Sequence, residues 1–304
     1  MHIYLPIAGQ SVNAVFIILL GFGVGLLSGM FGIGGGFLTT PLLIFYGIPP
    51  TVAVASATTQ ITGASVSGAM VHMRRGGVDL KMAGVMTGGG LLGSIVGAAV
   101  FRVLQASGQI DVVISFLYVL ILGWIGIIML KDALVALGFV AGRTDQGGRP
   151  PRHNRWVASL PLRWRFYSSG LYISPVAPIA IGFAAGVLTV LLGIGGGFII
   201  VPAMIYLLGM PARVVIGTSL AMVLAVSAAT TMVHAMTTRS VDIVLAGLLL
   251  VGGVIGAQYG ALLTLRIKPD LLRLALAVII LLVGFRMLLG LAWHPDEIFS
   301  IEYL

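Results

Sequence analysis

The stretch that decides the fold is Gly32-Ile33-Gly34-Gly35-Gly36-Phe37, because the same six residues return as Gly193-Ile194-Gly195-Gly196-Gly197-Phe198. The correspondence extends outward from both copies to later prolines, a Val-His pair and a Val-Asp pair. A Gly-Gly-x-x-Gly-x-x-x-Gly-Ala motif also occurs twice, at 89–98 and 252–261. The chain is therefore one duplicated unit, and each unit contains a glycine break inside a hydrophobic stretch. This combination is typical of membrane transporters.

The composition places the chain in lipid. Hydrophobic residues make up 59% of the sequence and charged residues only 9%, which is too little charge for a soluble domain. Cysteine is absent, which excludes disulfides and thiolate metal sites. The formal charge of +8 includes a cluster of six arginines between 143 and 165, in one loop. Membrane orientation therefore explains the charge more simply than nucleic-acid binding does.

The hydrophobic pattern predicts an all-α polytopic membrane protein with four hydrophobic segments in each unit, about eight in total. We expect the segments at 12–46, 51–73, 80–104 and 110–130, and at 174–208, 212–236, 243–265 and 271–293. The corresponding organisation is repeat 1 at 12–130, a basic cytoplasmic linker at 131–173, repeat 2 at 174–293 and a tail at 294–304.

The first segment of each unit is too long for one span and too broken for one helix. The apolar run after the first glycines, 38–46, would rise only about 14 Å as a helix, roughly half a bilayer core. We therefore expect a broken or re-entrant segment that makes no net crossing, followed by three spans, so that the two repeats are inverted. The linker and the loop from Arg266 to Arg273 would then share the cytoplasmic side, and the C-terminus would lie outside. A single net crossing would instead give parallel repeats and a weaker charge bias.

The glycine breaks are the first candidate for a binding site. Glycine permits positive φ and close approach of another group to the backbone. Each break is followed by a new helix start, whose first amides lack intrahelical partners and whose dipole is positive. Two such starts meeting near the midplane would bind an anion. Alternatively, the glycines only permit tight helix crossing. The substrate-binding residues predicted at the breaks are Gly34, Gly35, Gly36, Phe37, Thr39, Gly195, Gly196, Gly197 and Phe198.

Hydroxyl-rich second segments are the other candidate. Thr58, Thr59 and Gln60 in the first unit can donate hydrogen bonds to an oxyanion without burying a charge. The alternative is that such hydroxyls bond carbonyls of their own helix.

Two histidines and two aspartates occupy repeat-equivalent places. His72 and His234 are possible proton-coupling groups, because histidine titrates near neutral pH. They could equally cap carbonyls or face headgroups. Asp79 and Asp242 precede the third segments and are expected to be helix N-caps. No set of residues indicates a metal site.

These residues resemble the TauE/SafE sulfite exporter family, also called toluene-sulfonate uptake permeases. The resemblance rests on the doubled glycine motif followed by proline, and on the later histidine, Val-Asp and glycine motifs. It implies a permease of the bacterial inner membrane that moves sulfite, sulfoacetate or other organosulfonates, most commonly outward. It also implies that the glycine breaks and the pair Thr218-Ser219 contribute to binding. The first unit departs by having Ala57-Thr58-Thr59-Gln60 there, so the two halves of the site can bind different ends of an asymmetric substrate.

The sequence thus predicts a secondary transporter that exports small sulfur-containing anions. Its expected partners are the anion and a bilayer with an anionic inner leaflet, with no cofactor and no nucleic acid. A passive anion channel and a non-transporting membrane assembly factor are the alternatives. An enzyme is not expected, because no nucleophile–base pair is evident. A P-loop is excluded because the glycine motif lacks the following Lys-Ser/Thr.

Overall fold

The computed structural model describes residues 2–31, 35–74, 76–136, 163–263 and 269–292. The first half contains β1 (His2–Leu5), β2 (Gln10–Asn13), α1 (Ala14–Phe31), α2 (Gly36–Phe45), α3 (Pro50–Arg74), α4 (Leu80–Ala106) and α5 (Ile110–Ala136). The second contains β3 (Trp164–Phe166), β4 (Leu171–Ile173), α6 (Val176–Leu192), α7 (Gly197–Tyr206), α8 (Ala212–Val233), a π-helix (His234–Thr238), α9 (Ile243–Leu263) and α10 (Pro269–Ala292). Among the described elements, the two halves follow the same order apart from the π-helix in the second half. Gly34, most of the predicted linker and the tail lie outside the described residues.

Five of the described helices are long and apolar enough to cross a bilayer. These spans are Leu80–Ala106, Ile110–Val135, Val214–Thr238, Ile243–Gly260 and Leu274–Ala292. Large apolar side chains on them are exposed, including Ile95, Trp124 and Leu282. Such an apolar surface suits lipid rather than water. The protein is therefore a multi-pass membrane protein, and the broken first segments appear as the shorter helices α1, α2, α6 and α7.

A two-stranded antiparallel hairpin precedes the first helix of each half. In the first hairpin Leu5 pairs with Gln10, and in the second Trp164 pairs with Ile173. Sequence analysis did not predict these strands and assigned the second hairpin to the linker. Each hairpin is amphipathic: Leu5 and Phe166 are buried, whereas the neighbouring Tyr4 and Tyr167 are exposed. Exposed tyrosines are typical of the membrane–water interface.

The hairpins mark two clusters of helix ends. The first hairpin packs on the end of α2, the connection after it and the starts of α3 and α9, through Leu43, Ile48, Val52 and Leu245. We call this the first mouth. The second hairpin packs on the end of α7 and the starts of α4 and α8, through Met82, Met204, Leu208 and Val214. We call this the second mouth.

The four most extensive helix pairs each join one helix from each half: α1 packs on α9, α4 on α6, α5 on α10 and α3 on α8. Glycines make the first two pairs possible. A Cβ atom at Gly25 would lie 2.2 Å from the carbonyl oxygen of Gly253, and one at Gly93 would lie 2.1 Å from that of Phe183. The helix backbones therefore touch, as small residues allow in membranes. The repeated glycine motif in α4 and α9 serves this packing.

The two halves differ by a π-helical turn after α8. The segment from His234 to Asp242 is one residue longer than the equivalent segment from His72 to Asp79. The residues after His234 form a π-helix, which is how a helix absorbs a single inserted residue.

Candidate substrate site

The two short helices begin in the same unusual way. Their N-caps, Gly35 and Gly196, have left-handed backbones with φ of 70° and 73° and ψ of −27° and −24°. Side chains rarely adopt this conformation, so glycine is needed at both positions. The broken segments predicted from the sequence therefore resume as helices at Gly36 and at Gly197.

The starts of the two short helices meet inside the protein. The rings of Phe37 and Phe198 stack with centroids 4.5 Å apart and planes 7° from parallel. Both phenylalanines are 1% exposed. A Cβ atom at Gly36 would lie 2.6 Å from the carbonyl oxygen of Gly193, the first glycine of the second motif. The structure thus brings the two glycine motifs together and closes the space between them with an aromatic pair.

Two features give this junction a positive electrostatic character. The first amides of α2 and α7 have no carbonyl one turn earlier in their own helix to bond. Each helix also directs the positive end of its dipole toward the junction. The N-terminus of a helix binds anions for these two reasons, and here two of them converge.

A buried polar pair lies beside the start of α2. The Thr39 hydroxyl donates to Gln60 Oε1 at 2.9 Å, and Gln60 is only 4% exposed. The other end of the amide lies against α9, since a Cβ atom at Gly253 would be 2.7 Å from Gln60 Nε2. Thr39 and Gln60 were both predicted from the sequence. In the second half, Ile200 occupies the place equivalent to Thr39, so that side of the junction is apolar.

The remaining predicted hydroxyls bond carbonyls of their own helices. Thr58 and Thr59 donate to Ala55 O at 2.7 and 3.1 Å, and Ser219 donates to Ile216 O at 2.9 Å. Thr218 donates to Val214 O and accepts from the Asp79 amide at the second mouth. In this conformation the hydroxyl groups therefore make structural hydrogen bonds.

The two histidines differ in environment. His234 is fully buried, its Nε2 donates to the Val190 carbonyl at 3.1 Å, and its Nδ1 lies 3.3 Å from Thr238 Oγ1. Phe101 packs edge-on against its ring. His72 is partly exposed near the end of α3, with its Cβ close to Gly217. The equivalent positions therefore offer different access to solvent.

Two features near the junction were missed by sequence reasoning. Ile61 fills the space beside both motifs, since Cβ atoms at Gly36 and Gly195 would lie 2.1 and 2.7 Å from its side chain. The Tyr118 hydroxyl donates to the Leu192 carbonyl at the end of α6. The sequence signal that could have indicated the Tyr118 contact is that this residue is the single tyrosine in the apolar segment 110–130.

Comparison with known proteins gives consistent matches. A family model described as sulfite exporter TauE/SafE matches residues 17–287. The probable membrane transporter protein YjnA of Bacillus subtilis is 31% identical over 90% of this chain and 100% of its own length. The probable membrane transporter protein YunE of the same organism is 25% identical over 91% of this chain and 98% of its own. A probable membrane transporter protein of Xylella fastidiosa is 28% identical over 83% and 84%. No solved structure matches significantly.

Proposed function

The chain belongs to the TauE/SafE sulfite exporter family and is a membrane transporter of that type, and from this we propose that it exports small sulfur-containing anions across the bacterial inner membrane. The observation that carries the proposal is the meeting of two helix starts, with matched left-handed glycine caps, at Phe37 and Phe198. Sulfite and organosulfonates carry the negative charge that such a junction favours.

We further propose that the repeats are inverted. Helix α3 starts at the first mouth, and its last turn reaches the start of α8, where a Cβ atom at Gly217 would lie 2.9 Å from His72 Cβ. The segment after α8 returns to the first mouth, where the Asp242 amide donates to Ser56 Oγ at 3.3 Å. Equivalent helices α3 and α8 therefore run in opposite directions.

The second mouth is proposed to be cytoplasmic. Lys81 and Arg165 lie there, and the Lys81 ammonium donates to the Arg165 carbonyl at 2.9 Å. Arg163, the residue before β3, also belongs to this basic group. An excess of Lys and Arg marks the cytoplasmic side of a membrane protein, next to its anionic inner leaflet.

The site is proposed to be asymmetric, with Thr39 and Gln60 binding the oxyanion end of the substrate. Ile200, on the apolar side of the junction, would accept the organic end of the substrate. An organosulfonate fits such a site better than sulfite, because only the former has an apolar part to bury.

We assign proton coupling to His72 rather than to His234. His234 is enclosed and its Nε2 is occupied by the Val190 carbonyl, whereas His72 is partly exposed near the cytoplasmic mouth. Changing His72 to Gln should flatten the pH dependence of transport more than the same change at His234. Equal pH profiles in both variants and the wild type would favour uncoupled flux.

Anion binding to the purified protein tests the proposed function. A thermal-shift screen would include sulfite, sulfate, thiosulfate, taurine and sulfoacetate. An anion present at 100 times its dissociation constant should stabilise the protein by about 2.7 kcal/mol. We expect stabilisation by sulfoacetate and none by taurine at matched ionic strength, because the ammonium group of taurine would meet the positive helix ends. An absence of stabilisation by every anion would favour the assembly-factor alternative.

A further inference from the structure

Two buried aspartates, Asp79 and Asp242, lie at the second and the first mouth respectively. Asp79 and Asp242 are 1% and 0% exposed. Each caps the helix that follows it: Asp79 Oδ1 accepts from the Met82 amide at 3.0 Å, and Asp242 Oδ1 accepts from the Leu245 amide at 3.1 Å. This confirms the N-caps expected from the sequence. Capping uses only one oxygen of each carboxylate.

The second oxygen of each carboxylate binds a hairpin turn. Asp79 Oδ2 accepts from the amide and the hydroxyl of Ser169 at 3.1 and 2.6 Å. Asp242 Oδ2 accepts from the Ile7 amide at 3.1 Å. A hydrogen bond donated to an ionised carboxylate is stronger than a hydrogen bond between neutral groups. A helix cap alone would need neither contact.

The backbone amide of each aspartate reaches the opposite half of the chain. The Asp79 amide donates to Thr218 Oγ1 at 2.9 Å, and the Asp242 amide donates to Ser56 Oγ at 3.3 Å. Each aspartate thus joins three elements: a hairpin, the start of α4 or α9, and the start of α8 or α3. Two of the three always come from the half that does not contain the aspartate.

The hairpins that the aspartates hold cover the outer ends of the short helices. Phe166 and Leu5 pack against the ends of α7 and α2, whose other ends meet at the central aromatic pair. A path from the central junction to either side of the membrane would therefore pass beneath one hairpin.

We propose that Asp79 and Asp242 are the latches of two opposed gates, and that release of one latch opens one side of the transporter. This inference rests on the proposed transport function and adds the device that alternates access. With both latches closed and Phe37 stacked on Phe198, the structure is the occluded conformation. Releasing Asp79 frees the second hairpin from α4 and α8, and releasing Asp242 frees the first hairpin from α9 and α3.

Cysteine accessibility tests the latches cleanly, because the chain has no native cysteine. Ala53 and Val215 are both 0% exposed, near the starts of α3 and α8 beneath the first and second hairpins. Single Ala53→Cys and Val215→Cys proteins would be purified and labelled with a hydrophilic maleimide. Asp79→Asn keeps an N-capping side chain but removes the charge from the hairpin contact. It should speed labelling at position 215 by roughly tenfold or more and leave position 53 unchanged. Asp242→Asn should do the reverse.

Two further variants keep the test decisive. Ser169→Ala removes only the hairpin hydroxyl and should also speed labelling at position 215. It therefore replaces Asp79→Asn in the test if that variant does not fold. Asp111→Asn removes a carboxylate from the exposed start of α5 and should change neither rate. Labelling that is unchanged at both reporters, or that rises equally at both, would overturn the proposal and leave the aspartates as helix caps. Because labelling requires no substrate, a side-selective response without anion flux would refute the transport function and keep the gates.

Discussion

Alanine at Gly25 should force helices α1 and α9 apart and destabilise the protein. A Cβ atom there would lie 2.2 Å from the Gly253 carbonyl oxygen, whereas ordinary contact begins at 3.4 Å. The helices must therefore separate locally by roughly 1 Å, and a gap of that size removes roughly a quarter to a half of the van der Waals attraction between the atoms that lose contact. Overpacking of this kind costs about 1–3 kcal/mol of unfolding free energy.

Gly23 provides a matched control on the same helix. No heavy atom lies within 4 Å of a Cβ atom placed at Gly23. Alanine should therefore be neutral or stabilising there, by up to about 1 kcal/mol, since it favours helix over glycine. Thermal unfolding of both purified variants in one detergent gives the comparison. Equal melting temperatures for Gly25→Ala and Gly23→Ala would refute the close backbone contact between α1 and α9.

Three further outcomes are expected. Phe198→Ala removes the central aromatic pair, whose stacking is worth about 0.5–1.5 kcal/mol beyond burial. Vesicles reconstituted with this variant should therefore leak anion at a rate that no longer saturates with anion concentration. Unchanged, saturable flux would show that the pair does not close the path. Gln60→Met removes the amide oxygen that accepts from the Thr39 hydroxyl, which then keeps only its longer 3.4 Å contact with the Gly35 carbonyl, and it should weaken sulfonate binding in calorimetry by about tenfold or more. Ile200→Val, an apolar exchange at the place equivalent to Thr39, should have little effect, and similar losses in both variants would argue against an asymmetric site. Cysteines at Tyr4 and Tyr167, which are 63% and 81% exposed, should react with impermeant reagents from outside and from the cytoplasm respectively, and reaction of both from one side would contradict inverted repeats.

Much of the local structure follows from the sequence, because few residues other than glycine can adopt positive φ. The doubled motif predicts breaks that need positive φ, and Gly35 and Gly196 adopt it. Val-Asp before a hydrophobic run predicts an N-cap, and Asp79 caps α4. These predictions depend only on neighbouring residues and on backbone stereochemistry.

Other features depend on contacts between distant residues and were not predictable in the same way. The hairpin strands are three or four residues long, and their buried side chains pack on helix ends far away in the chain. A threonine such as Thr58 looks the same in the sequence whether its hydroxyl faces a substrate or a carbonyl of its own helix. Here the hydroxyl donates to the Ala55 carbonyl. One residue inserted after His234 produces a π-helical turn that the first half lacks.

The central claim is that anions cross the membrane through the junction of the two helix starts. Counterflow in proteoliposomes tests it most directly: vesicles loaded with an unlabelled sulfonate are diluted into a trace of the labelled compound. The account predicts transient accumulation of label above equilibrium, saturable with internal sulfonate, and its loss when Gly36→Leu places a side chain against Ile61 and Gly193. Label that merely equilibrates would indicate a channel, and accumulation that persists in a folded Gly36→Leu protein would contradict the site.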